Sequence, residues 1–150
     1  MVIYFGADHR GFSLKENLKA SLKDQGYEVV DCGAAAYDEA DDFPDFAAAV
    51  ARNISSDPER GRGILVCGSG GGVTVAANKF RHVRACVGFA TDQVFDMRHD
   101  EDLNVLCLAS DYVNEIEAQK LVRVFLETPF DKEERFLRRL GKIGQIEDSA

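Results

Sequence analysis

Five short apolar runs alternate with helix-patterned stretches along the whole chain, and that alternation leaves few folds open. The runs at residues 2–5, 27–32, 64–67, 84–89 and 104–109 read as strands. Between them lie helical patterns. The first covers 12–25, with Phe12, Leu14, Leu18 and Leu22 as its inner face, lysines outside and Gly26 as its stop. Pro44 opens the second, which runs through Ile54 to the Ser55-Ser56-Asp57-Pro58 break. The others cover 72–79, 91–98 with Thr91 as N-cap, and 114–127. Strands spaced by helices predict a single α/β domain over residues 1–150. It is a three-layer, doubly wound, Rossmann-like sandwich with a five-stranded parallel sheet. A further helical stretch, 133–140, has no place on a sandwich that is already complete, so it is expected to pack on a partner subunit.

The chain has 150 residues, 45% of them hydrophobic, which suffices for one core. Its formal net charge of −8 argues against a nucleic-acid partner, because phosphate backbones are bound by basic surfaces. No stretch is apolar and long enough to span a bilayer, and an apolar run begins at Val2 with no basic leader. The expectation is a cytoplasmic protein with no membrane partner. Of the four cysteines, Cys86 and Cys107 lie inside apolar runs and read as core thiols. No pair has C-x-x-C spacing, so neither a metal site nor a disulfide framework is expected.

In a doubly wound sheet, ligands bind beyond the carboxyl ends of the strands. The polar cluster after the third strand is the most informative. Cys67 ends that strand, and Gly68, Ser69, Gly70, Gly71 and Gly72 turn the chain into the next helix. Such a turn can offer backbone N–H groups to an anion, and it sets a thiol beside them. The alternative is a tight turn without a ligand, but four glycines carry an entropic cost that a simple turn does not need. No Gly-Lys-Ser/Thr follows, so this is not a Walker A loop, and Val73 stands where a dinucleotide fingerprint has its third glycine. Cys67 can take a proton from carbon or attack a carbonyl. Asp8 and His9 follow the first strand, where a carboxylate can hold a hydroxyl and an imidazole can bind phosphate or move a proton. Arg135 and Arg139 lie on one helix face and suit a phosphate, although their spacing equally fits a solvated face pairing with Glu134 and Asp131.

Taken in order, Asp8-His9, Cys67-Gly68-Ser69-Gly70-x-Gly72, Ala76-Ala77-Asn78-Lys79, Asn104-Val105-Leu106 and Arg135-x-x-x-Arg139 closely resemble the ribose-5-phosphate isomerase B and galactose-6-phosphate isomerase family. The resemblance spans essentially the whole chain. It implies interconversion of aldose and ketose phosphates through a cis-enediolate, with no metal or organic cofactor. It also implies homodimers, in some members tetramers, with active sites built from both subunits. By resemblance Cys67 is the base between C1 and C2, and Ser69 with Gly68, Gly70, Gly71 and Gly72 stabilises the enediolate oxygens. Asp8 holds substrate hydroxyls, His9 contacts phosphate, and Arg135 and Arg139 reach phosphate from the partner.

Two stretches depart from the family pattern. The family has His-Asn-Asp ahead of Asn-Val-Leu, and its histidine helps open the sugar ring. Here an ungapped match puts Asp100 at the histidine position and Glu101 at the asparagine position, with His99 one place early. A local bulge brings His99 into place; without one, Asp100 takes the role or ring opening is weak. After the fifth strand many members have an arginine that binds phosphate. Here Asp111 stands there, and it repels a phosphate unless a cation lies between. Three readings follow: isomerisation of a sugar phosphate, the same chemistry on a shorter or unphosphorylated sugar, and a non-catalytic sugar-phosphate-binding module.

Overall fold

A computed structural model describes residues 1–149. Its elements run β1 (Val2–Ala7), α1 (Phe12–Asp24), β2 (Glu28–Asp31), α2 (Phe43–Ser56), β3 (Gly61–Cys67), α3 (Gly71–Ala77), β4 (Ala85–Val87), α4 (Thr91–Glu101), β5 (Val105–Ala109), α5 (Glu115–Glu127) and α6 (Glu134–Ser149). The five strands form one all-parallel sheet in the order β2-β1-β3-β5-β4. Alternate residues of each central strand face opposite layers. Ile64 and Val66 join Leu18, Leu22, Val94, Leu121 and Phe125 beneath α1, α4 and α5. Leu65 and Cys67 join Val50, Ile54, Val73 and Ala77 beneath α2 and α3. This is the expected three-layer sandwich, and β1 and β3 flank its switch point.

The departures have local causes. β3 begins at Gly61 because Gly61 and Arg62 pair in register with Val2 and Ile3, so the neighbouring ladder decides the boundary. β4 shrinks to three residues because it is an edge strand and the chain turns away at Gly88, leaving Phe89 exposed. Thr91 is the first helical residue of α4, and Ala90 is its N-cap. The Gln93 side chain reaches back over the start of the helix, accepting the N–H groups of Phe89 at 2.8 Å and Ala90 at 3.4 Å. Not all lysines of α1 point outward: Lys15 is fully buried, bonded to Asp31 at 2.8 and 3.0 Å and to the carbonyl of Ala34 at 3.0 Å. Cys107 is buried as expected, and burial pushes its thiol up to about 12. Cys86 is only half-buried.

The last helix is longer than its pattern predicted and finds a place on its own chain. Phe136 is buried, and the other end of α6 meets the turn before β4, where Glu147 accepts the His82 N–H at 3.1 Å and Asp148 pairs with Arg81. Leu137, Ile143 and Ile146 of the same helix remain exposed. No helix among the described residues is long and apolar enough to cross a membrane.

Candidate active site

Parallel strands put all their carboxyl ends at one end of the sheet, and the loops after β1, β3 and β5 meet there. Gly11 lies so close to β3 that a Cβ on it would sit 2.4 Å from the Val66 carbonyl oxygen, so this position needs glycine. That contact seats Asp8, His9 and Arg10 against the glycine turn. Asp8 is buried and accepts the Gly11 N–H at 3.1 Å. Ser110 donates to the carbonyls of Cys67 at 3.0 Å and Arg10 at 2.9 Å, tying the third loop to the other two.

Cys67 is 5% exposed at the floor of this junction. The Gly70 N–H donates to its sulfur at 3.2 Å. Gly70 is left-handed at φ 73°, which lets the chain fold back over Cys67. The Gly71 N–H turns to the Ser69 hydroxyl at 3.3 Å, so in this structure the chain's own sulfur and hydroxyl take up two of the turn's amides. A Cβ on Gly72 would lie 2.8 Å from the Phe43 ring, and the acidic loop leading to Phe43 forms a wall of the site.

Asp111 is not left facing the site as a lone acid. The Arg10 guanidinium lies directly over Gly68 and forms an ion pair with Asp111, whose own N–H binds the Gly68 carbonyl at 3.1 Å. The cation that this position called for comes from the β1 loop. Sequence reading missed Arg10, and its only signal was adjacency to Asp8-His9.

The remaining candidates lie elsewhere. Each helix runs back from the carboxyl to the amino end of the sheet, so the last turn of α4 and the start of α6 sit at the opposite end from Cys67. There Asp131 donates its N–H to the His99 carbonyl at 2.9 Å. Buried Arg98 holds the corner through Asp102 at 2.8 Å and the Thr128 carbonyl at 3.3 Å. The helix continues unbroken through Glu101, so no bulge shifts His99 into register. Its ring stacks on Phe95 at 5.3 Å and meets Phe136 edge-on at 5.7 Å. Arg135 and Arg139 flank the same Phe136 ring. Glu101 is raised above the ordinary carboxylate value, first by desolvation and then by Asp100, with Arg139 near enough to oppose this. Within one chain the structure therefore separates Cys67, Ser69, Asp8 and His9 from His99, Asp100, Glu101, Arg135 and Arg139. Asn78 and Asn104 serve as clamps, Asn78 on the backbone of Ala85 and Asn104 on that of His82 and Arg84.

His99 is raised above the ordinary histidine value, first by its 2.7 Å hydrogen bond to Asp100 and also by Asp131 and Glu133. Its imidazolium therefore survives to higher pH in the folded chain than in the unfolded one. Stabilisation from this group is complete below the unfolded value and disappears as pH rises through the folded one. Asp100→Asn is expected to lower the His99 midpoint in an NMR pH titration. An unmoved midpoint would refute the assigned cause.

Residues 3–143 match the family model described as Ribose/Galactose Isomerase. The solved ribose-5-phosphate isomerase B of Mycoplasma genitalium with bound ribulose-5-phosphate superposes with a TM-score of 0.95 at 37% identity, covering 99% of this chain and 97% of that one. The ribose-5-phosphate isomerase B of Mycobacterium tuberculosis is 34% identical over 98% of this chain and 90% of its own. A 4-deoxy-4-sulfo-D-erythrose isomerase from a Clostridium species is 34% identical over 99% and 97%. With a matching sheet, a cysteine-glycine turn at its switch point and similarity over nearly the full length, this chain belongs to the ribose/galactose isomerase family of aldose–ketose isomerases.

Proposed function

We propose that the chain interconverts an aldose phosphate and a ketose phosphate of the ribose 5-phosphate/ribulose 5-phosphate type through a cis-enediolate, without a cofactor. The observation that carries this reading is Cys67, its sulfur fixed by the Gly70 N–H at 3.2 Å, beside Asp8 and His9 at the switch point. A proton alpha to a carbonyl is weakly acidic, so its removal needs a placed base and donors for the developing oxyanion. Cys67 takes the C2 proton of the open-chain aldose and returns it to C1. Ser69 and the turn from Gly68 to Gly72 stabilise the enediolate oxygens, through the amides that the Cys67 sulfur and the Ser69 hydroxyl do not already hold. Asp8 holds substrate hydroxyls, and His9 meets the phosphate.

The complete site is shared by two copies of the chain. Arg135 and Arg139 of one copy bind the phosphate seated beside Cys67 of the other, and Asp100, with His99 bonded to it, opens the ring. This arrangement is supported by the positions of the two clusters at opposite ends of one sheet, where no single chain can join them. It is also supported by the exposed side chains of Phe95, Leu137, Ile143 and Ile146 near the second cluster. Monomers rarely leave such apolar surface to solvent.

The test is to incubate the protein with ribose 5-phosphate in heavy water. Ribulose 5-phosphate forms, and deuterium enters at the carbon that exchanges its proton. Binding without exchange would mark a binding module and sink the isomerase reading. A shorter or unphosphorylated sugar is the second reading, favoured by Arg10 being already paired with Asp111 and by the sulfo-erythrose isomerase among the relatives. Assays of four-, five- and six-carbon aldoses, with and without phosphate, separate the two. Ribose 5-phosphate as clearly the best substrate would remove the second.

A further inference from the structure

His9 does not stand alone in its loop. Its Nδ1 lies 2.7 Å from Asp41 Oδ1, and the same oxygen accepts the His9 backbone N–H at 3.0 Å. Asp41 comes from the acidic loop 32 residues away, and its side chain is 8% exposed. An ionised carboxylate only accepts hydrogen bonds, so the ring proton belongs on Nδ1. The other ring nitrogen, Nε2, then points away from Asp41 and has no partner among the described residues. Tyr37, from the same loop, meets the ring edge-on with centroids 6.3 Å apart and narrows the orientations open to it.

The second carboxylate oxygen makes this contact unusual. Asp41 Oδ2 is buried and has no hydrogen-bond partner among the described residues. A buried polar atom left unpaired is costly, and more so on a charged group. A surface loop closing on the site has no structural need for such a group. The cost is explained if the acid acts on the imidazole rather than on the loop. Carboxylates behind a working histidine do so in two ways: they fix the tautomer, and they hold the ring plane.

We propose that Asp41 is the positioning residue of His9, holding one proton on Nδ1 and the ring fixed, so that the imidazolium formed when the substrate binds donates its Nε2–H to the anionic group. That the ligand is a sugar phosphate rests on the isomerase reading above. The Asp41–His9 couple itself does not, and the experiment separates the two.

The experiment is long-range proton–nitrogen NMR on the full-length 15N-labelled protein at mildly alkaline pH. The His9 signals are identified by their loss in His9→Gln. The parent chain is expected to show the Nδ1–H tautomer, and Asp41→Ala to shift His9 to the Nε2–H form preferred by free imidazole. Asp41→Leu keeps the side-chain bulk without an acceptor and serves if the alanine variant does not fold. In the kinetic assay, KM for ribose 5-phosphate rises roughly tenfold, the value of one lost charge-assisted contact, while kcat stays within about threefold. A loop that merely came loose would raise KM and lower kcat together and would broaden the His9 signals without choosing a tautomer. An unchanged tautomer in the variants overturns the proposal. So does an unchanged KM in an active enzyme. A parent chain that fails to isomerise any sugar phosphate defeats the isomerase reading, and the tautomer still decides the role of Asp41.

Discussion

Cys67→Ala is expected to fold like the parent chain and to lose isomerase activity by about 10²–10⁴-fold in kcat, the range ascribed to a placed general base. The structural cost is small. Cys67 is 5% exposed among Tyr4, Val73 and other side chains of one core layer, and the change removes a single sulfur atom. Comparable small deletions cost about 1 kcal/mol. The chemical cost is large because among the described residues no other thiol stands at the glycine turn after β3. Cys32, Cys86 and Cys107 are all pushed above the ordinary thiol value by desolvation. The lost step is proton transfer, so substrate binding measured by calorimetry stays near the parent's while exchange of the alpha proton stops. A variant with near-parental turnover would remove Cys67 as the base.

The half of the site around Cys67 was legible in the sequence because its parts are punctuation marks. Glycines at the end of an apolar run predict a turn, and parallel topology places that turn beside Asp8 and His9. Strand boundaries were less legible. Hydropathy begins the third run at Ile64, whereas pairing with Val2 and Ile3 starts β3 at Gly61. Charge placement was the least legible. Lys15 shares its helix with outward lysines, and only the position of Asp31 draws it into the interior. Arg10 reaches Asp111 across 101 positions, and Asp41 reaches His9 across 32. Such long-range pairs have no period or spacing for a sequence to display. They are set by where loops close, and here they supply the cation beside Asp111 and the acid behind His9.

The two clusters also make a prediction that no single variant can. Arg139→Ala is expected to impair phosphate binding at one end of the chain, and Cys67→Ala to abolish proton transfer at the other. Each homodimer then has two defective sites. When the two proteins are unfolded together, refolded and allowed to exchange subunits, half of the dimers carry one copy of each. In those, if Cys67 comes from one copy and Arg139 from its partner as proposed, both mutations fall in one site and the other site is intact. Random pairing therefore restores about a quarter of parental activity from two nearly inactive proteins. The result does not depend on how strongly Arg139 contributes, provided that Arg139→Ala alone is clearly impaired. If both residues served a site within one chain, mixing would give only the average of the two variants. That outcome would return the site to a single subunit and leave α6 as a structural helix, buried through Phe136 and bound to the turn at His82.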